Sequence, residues 1–224
     1  MITAFIPARG GSKGIPRKNI NEIAGKPLIV HSIEYAFSSR LINEVVVSTD
    51  DSEIAKIARN AGAEVMIRPP EFSTDSATTE SVIQHFINKY KTNPDKIVLL
   101  QPTSPYRPKG SLDSAINHFI ENGFDSMLSI SPTHRFFWRV KKDNTAFAEY
   151  DYLNRPRRQD LKREDIRFVE NGSLYIFTRQ QFENSGNRLG GKIGFVEWPE
   201  DYSIEIDTPL DFSIAEKLIK SKIT

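Results

Sequence analysis

Short runs of β-branched and apolar residues alternate with longer stretches of helical period, and this alternation limits the fold more than any other feature of the chain. Residues 2–6 form the first apolar run, followed by a helical pattern at about 27–39, a strand at 44–49, a helix at 52–61 and a short strand at 64–67. A helix at 79–91, a strand at 96–101, a helix at 110–122 and a strand at 126–131 continue the rhythm. The pattern predicts βαβ units and an α/β fold with a mostly parallel sheet flanked by helices. With 224 residues the chain fits one such domain.

The first predicted strand empties into Ala8-Arg9-Gly10-Gly11-Ser12-Lys13-Gly14-Ile15-Pro16-Arg17-Lys18-Asn19, a glycine-rich loop with four cations. Glycines let backbone N–H groups turn toward an anion, and Arg9 and Lys13 supply charge that a polyphosphate must have neutralised. The loop therefore suggests a nucleotide site, against the plainer reading of a tight basic turn. Its spacing matches neither Gly-x-x-x-x-Gly-Lys-Ser/Thr nor Gly-x-Gly-x-x-Gly, so both familiar phosphate loops drop out. Other predicted strands end in Thr49-Asp50-Asp51 and Gln101-Pro102-Thr103-Ser104-Pro105, which puts polar loops at the carboxyl edge of the sheet, where open α/β folds bind ligands.

Thirty basic against twenty-nine acidic residues leave a net charge of +1, so no overall field favours nucleic acid or an anionic membrane. Any anion recognition is local. The absence of cysteine excludes disulfides and thiolate metal sites, and the first residues read as a strand rather than a signal peptide, which predicts a cytoplasmic protein. No apolar run reaches the roughly 18 residues of a membrane helix. The four histidines are scattered, and no Gly-x-Ser-x-Gly elbow occurs.

Glu205 and Asp207 alternate with Ile204 and Ile206, which places the two carboxylates on one face of an extended segment. They could hold Mg²⁺, whose remaining ligands would come from phosphate and water, or they could be ordinary exposed acids on a half-buried strand. Asp50-Asp51 is the competing pair, and its position before the helix at 52–61 reads as a helix cap. Arg68-Pro69-Pro70, ahead of the hydroxyl run at 73–79, could read a base or a ribose or simply start a helix. Residues 133–167 break the rhythm. They contain Phe136-Phe137-Trp138-Arg139 and Arg155-Pro156-Arg157-Arg158-Gln159, with ten basic against six acidic residues. An excursion that exposes such aromatics predicts a second copy of the chain as cover. A strand at 172–177, another at 193–197 and a helix at about 210–220 complete the reading.

Together, Ala8-Arg9-Gly10-Gly11-Ser12-Lys13-Gly14, Val47-Ser48-Thr49-Asp50, Arg68-Pro69, Leu100-Gln101-Pro102-Thr103-Ser104-Pro105, Pro156-Arg157-Arg158-Gln159, Glu170-Asn171-Gly172-Ser173 and Ile206-Asp207-Thr208 resemble the CMP-sialic acid synthetases, the N-acylneuraminate cytidylyltransferases. The resemblance covers nearly the whole chain. It implies a Rossmann-like nucleotidyltransferase fold with a small dimerisation insertion at about 133–167, a homodimer, dependence on Mg²⁺, and transfer of CMP from CTP to a nine-carbon α-keto acid sugar with release of pyrophosphate. On matching positions it implies CTP binding by Arg9, Gly11, Ser12, Lys13, Asn19, Arg68 and Thr79, with Arg9, Lys13 and Asp207 catalytic. Gln101, Arg139, Arg157, Asn171 and Tyr175 would serve the sugar, and Asp207 with Glu205 the metal. Glu205 stands where the family commonly has aspartate. Arg188-Leu189 stands where some relatives carry aromatic residues lining the acyl pocket, so legionaminate or another nonulosonate fits as well as N-acetylneuraminate. A CMP-Kdo synthetase, another sugar nucleotidyltransferase and an inactive nucleotide- or sugar-binding dimer are the alternatives.

Overall fold

A computed structural model describes residues 1–221. The first apolar run forms β1 (Ile2–Pro7). Its centre is buried on both faces, with Ala4 and Ile6 turned to one core cluster and Phe5 to another, where Phe5 stacks on Phe86 at 4.4 Å. Burial of one such phenylalanine contributes about 1.5–3 kcal/mol. The basic loop leads to a short hairpin, β2 (Glu22–Ile23) and β3 (Lys26–Pro27), and then to α1 (Leu28–Phe37) and β4 (Glu44–Thr49). Next come α2 (Ser52–Asn60), β5 (Glu64–Ile67), α3 (Thr79–Lys89), β6 (Lys96–Leu99), α4 (Ser111–Glu121) and β7 (Ser126–Thr133). The chain continues through β8 (Trp138–Val140), β9 (Ala146–Ala148), β10 (Arg167–Thr178), α5 (Arg179–Ser185), β11 (Ile193–Glu197) and α6 (Pro209–Ser221).

Seven strands form one sheet in the order β11-β7-β10-β6-β1-β4-β5. Neighbours are parallel except around β10, which is antiparallel to both β6 and β7. α1, α2 and α4 cover one face, and α3 and α5 the other. A third cluster joins α6 to the β2–β3 hairpin and to Tyr106, which stacks on Tyr202 at 4.6 Å. From β1 the chain builds outward through β4 to β5, then crosses to the opposite face and lays β6 on the other side of β1. The order reverses there, so the loops after β1, β4 and β6 part and leave a crevice at the carboxyl edge.

The predicted alternation is present, with three differences. The strand expected at 172–177 is the end of a twelve-residue β10 whose register shifts between Glu170 and Tyr175. A bulge there scrambles the inside–outside pattern by which its first half would be read. α5 has only seven residues, too few to show a period, and is started by Thr178, whose hydroxyl accepts from the Gln181 N–H at 3.1 Å. The 203–209 segment is no strand, but Ile206 is buried and its N–H donates to the Thr103 carbonyl at 2.8 Å, so the alternation survives without a ladder. Residues 133–167 are indeed an excursion, with β8 and β9 pairing only with each other.

Candidate active site

The basic loop is held in place from both sides. The Gly10 N–H donates to Asp50 Oδ1 at 3.1 Å, and the Asn19 side-chain amide donates to the Arg9 carbonyl at 2.9 Å. At Gly14 the loop touches the far end of the chain, because a Cβ there would run into the Asp207 carbonyl oxygen. Asp51 caps α2 as expected, accepting from the Glu53 and Ile54 N–H groups at 2.8 and 2.9 Å. Asp50 does something else. It lies 3.9 Å from the guanidinium of Arg68, which is buried, and whose Nε has no protein partner. Burial lowers the Arg68 pKa, and Asp50 opposes that shift.

These loops enclose a cavity of about 380 Å³. Arg9, Ser12, Lys13 and Asn19 line it from the β1 side, and Arg68 and Thr79 from the loop after β5 and the start of α3. Gln101 and Asp207 close it. Gly11 belongs to the same loop but not to the lining. Thr78 caps α3 by accepting from the Ser81 N–H at 3.1 Å, which places Thr79 at the first turn.

The sequence reading missed three lining groups. Lys18 Nζ donates to the Ile206 carbonyl at 2.6 Å and lies 3.2 Å from Asp207 Oδ1, joining the first loop to the acidic segment. Its position in the same basic run was the available signal. Asp75 holds both loop cations, at 3.0 Å from Arg9 Nη1 and 2.7 Å from Lys13 Nζ, and hydrogen bonding to Lys13 lowers its pKa. Nothing in local spacing announces that contact. Thr103 donates to Glu205 Oε1 at 3.3 Å.

Asp207 presents a carboxylate that is 70% exposed at the mouth. Thr208 and Asp211 form a reciprocal cap on α6, with the Thr208 N–H donating to Asp211 at 2.8 Å and the Asp211 N–H to the Thr208 hydroxyl at 3.3 Å. Burial of the Glu205 carboxyl, reinforced by Asp207, raises its pKa. Among the described residues no cluster of three or more His, Cys, Asp or Glu could hold a metal. A pair of hard oxygen donors whose charges oppose each other fits a divalent cation that completes its shell from phosphate and water.

The residues expected to serve the sugar separate into two groups. Gln101 lies in the cavity wall. Asn171 is buried behind it, with its amide engaged by Ser129 at 2.5 Å, Ser131 at 3.1 Å and the Ser173 N–H at 3.2 Å, so it shapes the site from within. Tyr175 is buried with its hydroxyl on Glu170 and its ring 4.5 Å from the Arg188 guanidinium; burial raises its pKa. Arg188 also pairs with Glu80 at 2.5 Å. Arg139 and Arg157 are not brought to this cavity in the single chain. Arg139 pairs with Glu149, and Arg157, 74% exposed, with Asp160 at 2.6 Å.

Comparison with known proteins places the chain in a family. The chain is 41% identical to an N-acylneuraminate cytidylyltransferase of Oncorhynchus mykiss over 97% of its length, and 40% identical to N-acylneuraminate cytidylyltransferase A of Danio rerio over 97%. It spans about half the length of these relatives, 50% in each. Its fold is similar to that of a CMP:2-keto-3-deoxy-manno-octonic acid synthetase solved with CTP, with a TM-score of 0.73 at 18% identity and 99% of each chain covered. The family model described as Cytidylyltransferase matches residues 3–221, and the chain belongs to that family.

Proposed function

We propose that this chain transfers CMP from CTP to a nine-carbon α-keto acid sugar, an N-acylneuraminate or related nonulosonate, and releases pyrophosphate. The observation that carries the reading is one cavity at the carboxyl edge that gathers Arg9, Lys13, Lys18 and Arg68 opposite Asp207. Four cations around one small cavity suit a triphosphate better than any neutral ligand. The names of the relatives, which share about 40% of their residues with the chain, support the acceptor class.

In this reading the anomeric hydroxyl oxygen bonds to the α-phosphorus of CTP, the bond to the pyrophosphate oxygen breaks, and the hydroxyl proton passes to water. No covalent enzyme intermediate is needed, because such transfers are catalysed chiefly by alignment and charge neutralisation. Arg9 and Lys13 neutralise the leaving pyrophosphate. Arg68 and Thr79 border the nucleoside, and Gln101 orients the sugar. Asp207, assisted by Glu205, would hold Mg²⁺, which when bound offsets phosphate charge and acidifies a coordinated hydroxyl. Lys18 fixes the Asp207 carboxylate at that position.

Arg139 and Arg157 act, in this reading, in the pocket of a second copy. Their excursion exposes Trp138, Val140, Phe147, Tyr152 and Leu153, an apolar surface that a homodimer would cover. Among the described residues no helix is long and apolar enough to cross a membrane, and we place the protein in the cytoplasm with its nucleotide substrate. The test is to incubate the protein with CTP, Mg²⁺ and a panel of nonulosonic acids and to measure pyrophosphate. Release only with an eight-carbon keto-deoxy sugar or a sugar 1-phosphate would overturn the acceptor assignment, and release with none would overturn the activity.

A further inference from the structure

Arg107 is buried on α1's side of the sheet and spends all three of its guanidinium nitrogens inside the protein. Nη2 donates to the Gln101 carbonyl at 2.8 Å and to the Ser173 carbonyl at 3.1 Å; Nε reaches the same Ser173 oxygen at 3.2 Å. Nη1 donates to Ser32 Oγ at 2.9 Å, and the guanidinium lies 5.2 Å from the Tyr35 ring centre. Among the described residues no carboxylate pairs with it, and burial lowers its pKa to about 10. An unpaired cation in a core is costly, so a purely structural filler would be apolar.

The two carbonyls it holds belong to the two segments that meet at the sugar side of the cavity. Gln101 lies in the loop after β6, and Ser173 lies within the bulge in β10, next to Gly172 at φ +66°. Bulging removes the Ser173 carbonyl from the regular ladder, and the guanidinium replaces the lost partner. The spacing on the cavity side is close. A Cβ placed on Gly172 would lie 2.9 Å from Gln101 Oε1 and 3.4 Å from Glu205 Oε1, so shifts of a few tenths of an ångström between the two backbones change how the Gln101 amide and the Glu205 carboxyl face each other.

We propose that Arg107 is a positioning residue for the acceptor: it clamps the Gln101 loop to the Gly172 bulge from behind and so sets the geometry of the sugar side of the site, without touching substrate. The inference rests on the proposed cytidylyl transfer. It separates the two substrates, because Arg107 contacts none of Arg9, Lys13, Lys18 and Arg68, the cations read as suiting the triphosphate. Lysine in its place keeps the charge but cannot span both carbonyls and Ser32 together.

Arg107→Lys and Ser32→Ala are to be compared with the unmodified protein by KM and kcat for a nonulosonic acid, by CTP affinity in titration calorimetry, and by hydrogen exchange of the backbone amides. For Arg107→Lys we expect kcat/KM for the sugar to fall at least tenfold with CTP affinity unchanged within twofold, and exchange to quicken at 101–104 and 171–174 alone. A folded Arg107→Lys with unchanged sugar kinetics, or one in which CTP affinity falls as far as sugar kcat/KM, would overturn the proposal. If that variant does not fold, Ser32→Ala decides: a two- to fivefold rise in sugar KM without change toward CTP supports it, and no rise overturns it. If the unmodified protein turns over no sugar, the reading of its function has failed, and exchange decides for Arg107. Quickening confined to the two segments then supports the clamp, and a uniform or absent change refutes it.

Discussion

Asp75 lies within 3.0 Å of both Arg9 and Lys13, the two side chains proposed to hold the triphosphate. In that reading nucleotide displaces it. Exposed ion pairs of this kind contribute little, so Asp75→Asn is expected to lower KM for CTP by about two- to fivefold; an increase would mean that Asp75 helps to hold the nucleotide. Lys13→Ala removes one preorganised cation and is expected to lower kcat by about 10² to 10³ with the fold intact, as checked by circular dichroism and pyrophosphate release; near-normal turnover would remove Lys13 from the chemistry. The carboxylates are ranked by their surroundings. Asp207 is exposed at the mouth and held there by Lys18, whereas Glu205 is partly desolvated and accepts from Thr103, so Mg²⁺ activation should weaken far more in Asp207→Asn than in Glu205→Gln. Glu205 also gives a pH test. Its pKa is raised in the folded state, so without metal its ionisation opposes folding, a penalty absent below the unfolded pKa and growing as pH rises toward and through the folded one. Metal-free Glu205→Gln is therefore expected to melt a few degrees higher than the unmodified protein at pH 8 and no higher at pH 4; an equal difference at both would refute the shift.

At the scale of elements, the helices and the inner strands were legible because their signals are local. Asp51 before α2 and the unbroken apolar run of β1 need only their own neighbours in sequence, and both appear where expected. β10 was half legible. Its regular end reads as a strand, but the bulge at 171–174 depends on a neighbouring loop and a buried arginine more than sixty residues away. Gly172 is the residue that permits it, being left-handed and too close to Gln101 for a side chain. Gly172→Ala is expected to cost about 1–2 kcal/mol from backbone strain, seen in urea unfolding, and to reduce activity by more than that stability loss explains. Unchanged kinetics in a destabilised variant would mean that the bulge serves the sheet alone.

Over the whole molecule, the β8–β9 excursion and the cavity are separate in one chain, and assembly is what would join them. If Arg157 serves the partner's pocket, inactive Arg157→Ala and Asp207→Asn proteins mixed in equal amounts and allowed to exchange subunits should recover about a quarter of full activity, since half the dimers are mixed and each has one intact site. No recovery in dimers shown by light scattering to have exchanged would place Arg157 elsewhere. The sequence by itself determined the α/β alternation and the family, because periodicity, turn chemistry and ordered motifs are properties of neighbouring residues. Tertiary structure alone decided that Lys18 meets Asp207 across 189 positions, that Asp75 holds the loop cations, and that Asn171 and Tyr175 face inward while Arg107 clamps the site. Those contacts depend on which carbonyls a bulge releases and which charges a crossover brings together, and these are set by packing between segments remote in the chain.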